Sequence, residues 1–223
     1  GTGDWSSDVC SSDLQMLEYE SKLYKKGINL VAGVDEVGRG CLLGDVVACA
    51  IIMPKDLLIE GVKDSKKLSE KKREYLYNII LDEAIAIGIG RVDSKIIDKI
   101  NIKESTRIAM KKAVLNIRDR NGTRLVPEYL LVDAEFIDID IEQESIIKGD
   151  DISHTISCAS IVAKVYRDKL CLKWDKQYPE YNVKQHKGYG TKEHRENIKS
   201  FGPTPIHRMT FLRKTLNNQQ RGI

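Results

Sequence analysis

Four carboxylates stand in this chain where acidic side chains are out of place. Asp35 and Glu36 close the otherwise apolar run Asn29–Glu36, and Gly38-Arg39-Gly40 follows at once. Asp133 comes directly after Leu130-Leu131-Val132. Asp168 shares a helical stripe with Ile161, Val165 and Leu172, at steps of four, three and four. A carboxylate on an apolar face costs several kcal/mol unless a cation compensates it. Each residue alone has a plainer reading: a turn for Asp35-Glu36, a turn or helix cap for Asp133, a lysine salt bridge for Asp168. Gathered together, four such groups repel one another and hold their protons unless divalent cations neutralise them. Hard oxygen donors without Cys or His companions select Mg²⁺ or Mn²⁺ over zinc. Two such ions ~3.5–4 Å apart would activate a water and stabilise the leaving oxygen of a phosphodiester.

The elements that must position these groups can be read from periodicity. Met16, Leu17, Leu23 and Tyr24 recur at helical spacing before Gly27. Residues 29–36 and Asp45–Met53 read as buried strands, and Ala84–Val92 as a third. Neighbours on a regular strand point to opposite faces, so Asp35 and Glu36 can share one site only if the strand ends or bends there. Gly38-Arg39-Gly40 is the expected bend. Ser69 can cap a helix running to about Glu83, and a second helix covers Ile102–Ile117. Tyr129–Val132 is a short strand ending at Asp133, and Ser145–Lys148 a candidate fifth. Ser153 to about Lys176 is the longest amphipathic helix, and a short helix starts at Thr191. Strands followed by alternating helix and strand point to a mixed α/β sheet. The acidic run Glu135, Asp138, Asp140, Glu142 and Glu144 reads as a solvated loop, and Asp45 as structural.

Composition narrows the classes. The chain has 223 residues, 41% hydrophobic and 31% charged, which suits a packed core and argues against disorder. No run approaches 18 apolar residues, so no membrane span is expected. Five cysteines without CxxC pairing or zinc-like spacing read as reduced thiols of a cytoplasmic fold, with Cys49 and Cys158 as small buried hydrophobes. Residues 164–223 carry 14 Lys and Arg against 5 Asp and Glu, whereas residues 1–163 carry 22 against 28. A basic C-terminal quarter on an acidic body suggests a polyanionic partner. Ser6-Ser7-Asp8 recurs as Ser11-Ser12-Asp13, and Asp4–Leu14 can be back-translated into a run resembling a sequencing adapter. Residues 1–14 are therefore read as a non-native leader, 15–216 as one catalytic domain ending in a helical segment, and 217–223 as a tail.

Taken in order, Asp35–Gly40 (DEVGRG), Asp133, Ser157–Asp168 (SCASIVAKVYRD), His186–Tyr189 (HKGY), Thr191–His194 (TKEH) and Gly202–Phe211 (GPTPIHRMTF) resemble bacterial ribonuclease HII over roughly Gln15 to Leu216. The resemblance implies a ribonuclease H-like mixed five-stranded sheet flanked by helices, with a C-terminal helical extension. It implies that Asp35, Glu36, Asp133 and Asp168 are catalytic and bind two divalent ions, Mn²⁺ or Mg²⁺. It further implies that Gly38, Arg39 and Gly40 sense a ribose 2′-OH, and that Tyr189 stacks on the neighbouring deoxyribose. The implied activity is hydrolysis of the RNA strand of RNA–DNA hybrids and incision 5′ to ribonucleotides in duplex DNA, leaving 3′-OH and 5′-phosphate ends, in ribonucleotide removal during replication and repair. A monomer is expected. Many relatives carry proline where this chain has Cys41, Asp45 and Gly190, so these loops are expected to be less rigid, and glycine at 190 is expected to leave Tyr189 less constrained. Two alternatives fit the residues less fully: a non-catalytic nucleic-acid-binding module, or another nuclease of this fold such as a junction resolvase.

Overall fold

The computed structural model describes residues 15–63 and 68–217, with the side chains of 214–217 left aside. The proposed leader 1–14, with Cys10, and the tail from 218 onward lie outside the described residues. The strands are β1 Val31–Val37, β2 Val46–Ile52, β3 Ala86–Val92, β4 Arg118–Asp119, β5 Tyr129–Asp133 and β6 Glu142–Ile146. They form one sheet in the order β4-β3-β2-β1-β5-β6. The β1–β4 meander is antiparallel, whereas β5 and β6 run parallel to β1. The expected mixed sheet is present with six strands instead of five. The extra one, β4, pairs through only two residues, too few to leave a periodic trace. β6 also starts earlier than expected and converts Glu142 and Glu144 from loop into the edge of the sheet.

The helices are α1 Glu18–Lys25, α2 Glu70–Glu83, α3 Ser94–Ile100, α4 Ile102–Leu115, α5 Gly149–Ile152, α6 His154–Gln177, α7 Val183–His186, α8 Lys192–Phe201 and α9 Met209–Asn217. Ser69, Asp93, Asn101, Ser153 and Thr191 each accept a hydrogen bond from a backbone N–H of the first turn that follows. α4 packs one sheet face, burying Ala32, Val34, Ala48, Ala50, Met110 and Ala113. α2 and α6 cover the other, burying Cys49, Ile51, Leu76, Ile80, Cys158 and Ala159. Each full burial of a side chain of Leu or Ile size contributes ~1.5–3 kcal/mol. Cys49 and Cys158 are thus the buried hydrophobes expected, and Cys41, Cys49, Cys158 and Cys171 are free thiols. Among the described residues no helix is long and apolar enough to cross a membrane.

Two glycine contacts set the distance between layers. A Cβ on Gly33 of β1 would lie 2.4 Å from the Thr155 carbonyl carbon, and one on Gly90 would lie 1.9 Å from the Ala109 oxygen. The first turn of α6 therefore lies directly on β1, which brings Ser160 and Lys164 to the end of that strand.

Candidate active site

The two acidic strand ends meet because β1 outruns its parallel neighbour. Pairing between β1 and β5 stops at Val34↔Val132, while pairing with β2 continues through Val37↔Val47. Asp35, Glu36 and Asp133 thus lie beside a notch where one edge of β1 is open. β1 remains regular through Glu36, so the glycine bend does not bring the pair together; the missing stretch of β5 does. Carboxylate oxygens of the three residues lie within 4.8 Å of one another, a grouping able to hold a metal ion. They line a cleft of about 400 Å³ with Gly38, Arg39, Gly40, Arg73, Ser160, Lys164 and Tyr189.

The electrostatics of the notch are unfavourable without a cation. Burial, and then the charges of Glu36 and Asp133, push the Asp35 carboxyl well above its ordinary range. Burial also raises Glu36, partly opposed by Arg39. Asp35 Oδ1 accepts the Glu36 backbone N–H at 2.7 Å, and Asp133 Oδ1 accepts that of Gly149 at 2.6 Å. Glu36 Oε1 meets Arg39 at 3.4 Å, but Glu36 Oε2 is buried and meets no hydrogen-bond partner among the described residues. A buried carboxylate oxygen without a donor costs several kcal/mol, and a divalent cation is the partner that suits it.

Asp168 stands apart from this trio. Its Oδ1 takes Lys164 at 2.6 Å, and its Oδ2 lies 3.9 Å from Arg73. It borders an adjoining recess with Glu70, Lys169, Leu172 and Lys187, while its two cationic partners line the main cleft. The expected stripe on α6 holds for Ile161, Val165 and Asp168, all buried. Leu172 is 47% exposed, because at its level α6 borders that recess and not the core.

The glycine loop is braced by two buried arginines that periodicity did not single out. Gly38 has φ +91°, and a Cβ there would lie 2.3 Å from Arg167 Nε. Arg167 donates to the carbonyls of Leu43, Asp45 and Lys187 at 2.7–3.0 Å. Arg208, fully buried, donates to the carbonyls of Arg39 and Gly44, each at 2.9 Å. Gly40 faces open space and leaves the backbone accessible. Glu135 lies in a loop as expected but is buried and not solvated; it sits between Arg39 at 3.4 Å and Arg107 at 3.2 Å. Its burial depends on two arginines 96 and 28 positions away, a relation no local pattern carries. A trace of the bracing was available, since Ser160, Lys164, Arg167 and Cys171 follow helical steps of four, three and four. Asp45 pairs with Arg91 at 2.6 Å and does not line the cleft, in keeping with a structural role.

Tyr189 borders the cleft with 44% of its surface exposed. Its backbone is held on both sides: its N–H donates to the His186 carbonyl, and its carbonyl accepts from Thr191 N–H and His194 Nδ1, each at 2.9 Å. Glycine at 190 therefore does not release the tyrosine. Arg195 Nε donates to the Gly190 carbonyl at 3.1 Å and supplies restraint that a proline would otherwise give.

A six-stranded mixed sheet with acidic residues at the ends of adjacent parallel strands defines a ribonuclease H-like nuclease. The ribonuclease HII family profile matches residues 32–214. Ribonuclease HII of Alkaliphilus oremlandii is 56% identical over 200 residues, covering 90% of this chain and 98% of the relative. That of Enterococcus faecalis is 51% identical over 197 residues, or 88% and 75%. The crystal structure of ribonuclease H2 from Pyrococcus horikoshii is similar at 27% identity and a TM-score of 0.70, covering 86% of this chain and 99% of that one. The chain belongs to the ribonuclease HII family and is an endonuclease of ribonuclease H type.

Proposed function

We propose that this nuclease hydrolyses the RNA strand of RNA–DNA hybrids and cuts 5′ to ribonucleotides embedded in duplex DNA, leaving 3′-OH and 5′-phosphate ends. The observation that carries the reading is the like-charged trio of buried Asp35 with half-buried Glu36 and Asp133, in which Glu36 Oε2 meets no hydrogen-bond partner among the described residues. Asp35, Glu36 and Asp133 would hold two divalent ions, Mg²⁺ or Mn²⁺, and Asp168 completes the set on the family resemblance. When bound, the ions supply charge neutralisation at the phosphate and a nucleophilic water near neutral pH.

The protein's own groups supply positioning. Ser160 and the Glu36 N–H orient Asp35, and the Gly149 N–H orients Asp133. Lys164 and Arg73 offer positive charge to a phosphate entering the cleft. Gly38, Arg39 and Gly40 present backbone next to the trio, suited to reading a 2′-OH, the group that separates RNA from DNA. Tyr189 offers a ring face to the sugar that follows. The basic C-terminal quarter suits the duplex backbone and makes binding weaken with salt.

The test compares a DNA duplex carrying one ribonucleotide, a continuous hybrid and an all-DNA junction, each with Mg²⁺, with Mn²⁺ and with chelator. Cleavage of the first two only, stopped by chelator, is the expected result. Cleavage of the all-DNA junction would favour a resolvase, and salt-sensitive binding without cleavage a binding module.

A further inference from the structure

Three histidines beneath Tyr189 are hydrogen-bonded in a way that leaves each one tautomer. His186, His194 and His207 are all buried, and the rings of His186 and His194 stack at 4.1 Å. His207 Nδ1 accepts the Thr204 N–H at 2.9 Å, so its proton sits on Nε2. That Nε2 faces His194 Nε2 at 3.1 Å, which must then be the acceptor. His194 Nδ1 faces the Tyr189 carbonyl at 2.9 Å, which can only accept. His186 Nδ1 accepts the Gly188 N–H at 3.1 Å, and its Nε2 donates to the Tyr181 carbonyl at 2.8 Å. One assignment of protons on three neutral rings satisfies every contact. Burial lowers His194 and His207 to about 4, which keeps both neutral.

The relay is anchored in the segment that carries the glycine loop. Leu43 bridges to His207, the Leu42 N–H donates to the Gly188 carbonyl, and the Arg208 N–H donates to the Leu42 carbonyl, the two bonds each 2.8 Å long. The Tyr189 turn and the chain leaving Gly40 are thus joined through His194 and His207.

We propose that His194, locked as its Nδ1–H tautomer by His207, is a positioning residue that sets Tyr189 against the Gly38–Gly40 loop and so tunes selection of the RNA-to-DNA junction. This rests on the reading of Tyr189 as a substrate contact. A phenylalanine at 194 keeps a ring in place but removes both the donor to Tyr189 and the acceptor for His207. An asparagine places its amide N–H where Nδ1–H was.

Two measurements test the relay. Imidazole ¹⁵N–¹H correlation spectra of the wild-type protein at pH 7 are expected to show His194 protonated on Nδ1 only, with His186 and His207 protonated on Nε2. An Nε2–H or doubly protonated His194 overturns the proposal, and this readout needs no variant to fold. In cleavage, His194→Phe is expected to lower the rate on a lone embedded ribonucleotide by about 5-fold relative to a continuous hybrid, the effect of one hydrogen bond. His194→Asn should restore that ratio, and adding His194→Phe to Tyr189→Ala should change it no further. A selective loss in Tyr189→Ala without one in His194→Phe overturns the relay and leaves the tyrosine reading standing. Unchanged selectivity in Tyr189→Ala brings down the tyrosine reading, and with it the relay's part in substrate choice.

Discussion

The carboxylate notch, half-buried around a buried Asp35, and the buried histidine-lined turn beside it are both polar, yet they are built on opposite terms. In the notch, Asp35, Glu36 and Asp133 crowd like charge, and one Glu36 oxygen has no partner among the described residues. Under Tyr189, three uncharged rings each find donors and acceptors of the right sense. The notch is unstable as it stands and gains from a cation. The turn is complete as it stands and gains nothing from one. The two regions thus show two kinds of polar packing, one of crowded like charge and one fully hydrogen-bonded.

The contrast is broken most sharply at Asp35. Asp35→Asn should lower cleavage by about 10³-fold or more, since charge stabilisation of several kcal/mol at the phosphate goes with it. The same change should raise the melting temperature in chelator, because it removes one of three repelling charges. Mn²⁺ should raise the wild-type melting temperature and leave that of the variant nearly unmoved. A fall in metal-free stability would show the notch to be at rest after all.

Bracing comes next. Arg208→Met strips hydrogen bonds from the Arg39 and Gly44 carbonyls and should cost about 3 kcal/mol. Denaturant titration checks this, and cleavage should fall as well although no carboxylate is touched.

Acid separates the two regions by sign. In the turn, burial lowers His194 and His207 to about 4 in the folded chain, and the same holds for His154 at the start of α6, against an ordinary value near 6.5. The unfolded chain therefore binds more protons between those values, and stability falls as pH drops through 6.5 toward 4. Each histidine should account for about 1 kcal/mol of loss between pH 6.5 and 5.5. The raised carboxyls of Asp35 and Glu36 act oppositely: what they contribute is present in acid and lost as pH rises. Melting curves against pH should show a steeper acid limb in Asp35→Asn than in the wild type.

The smallest effect should fall on Asp45, an acidic residue outside the cleft. Asp45→Asn loses a pair with a half-exposed Arg91 and should cost less than about 1 kcal/mol. Cleavage within twofold of wild type is expected, as for a residue outside the cleft.

Legibility followed locality. Asp35 and Asp133 stood out because apolar runs lead directly into them, and those runs are strands of the sheet. The helix beginning near Ser153 was legible from its cap and length. What escaped was relational. The extra strand, β4, has two residues, and the Glu142–Ile146 edge strand, EQESI, lacks an apolar alternation. Glu135 is buried only by virtue of Arg39 and Arg107. The convergence of Asp35 with Glu36 depends on where a neighbouring strand stops, and nothing within residues 29–36 records that. Asp168 met its lysine one helical turn away, and sequence spacing alone does not decide between that partner and the cleft.

Arg208 lies far along the chain from the loop it braces, and this bears on the order in which the enzyme is made. Synthesis runs from the amino end, so Asp35, Glu36, Asp133 and Asp168 all exist before that arginine is added. A nascent chain halted short of it carries these four carboxylates beside a glycine loop without its Arg208 brace. The loop beside the acidic trio therefore gains its brace only after all four carboxylates have been made.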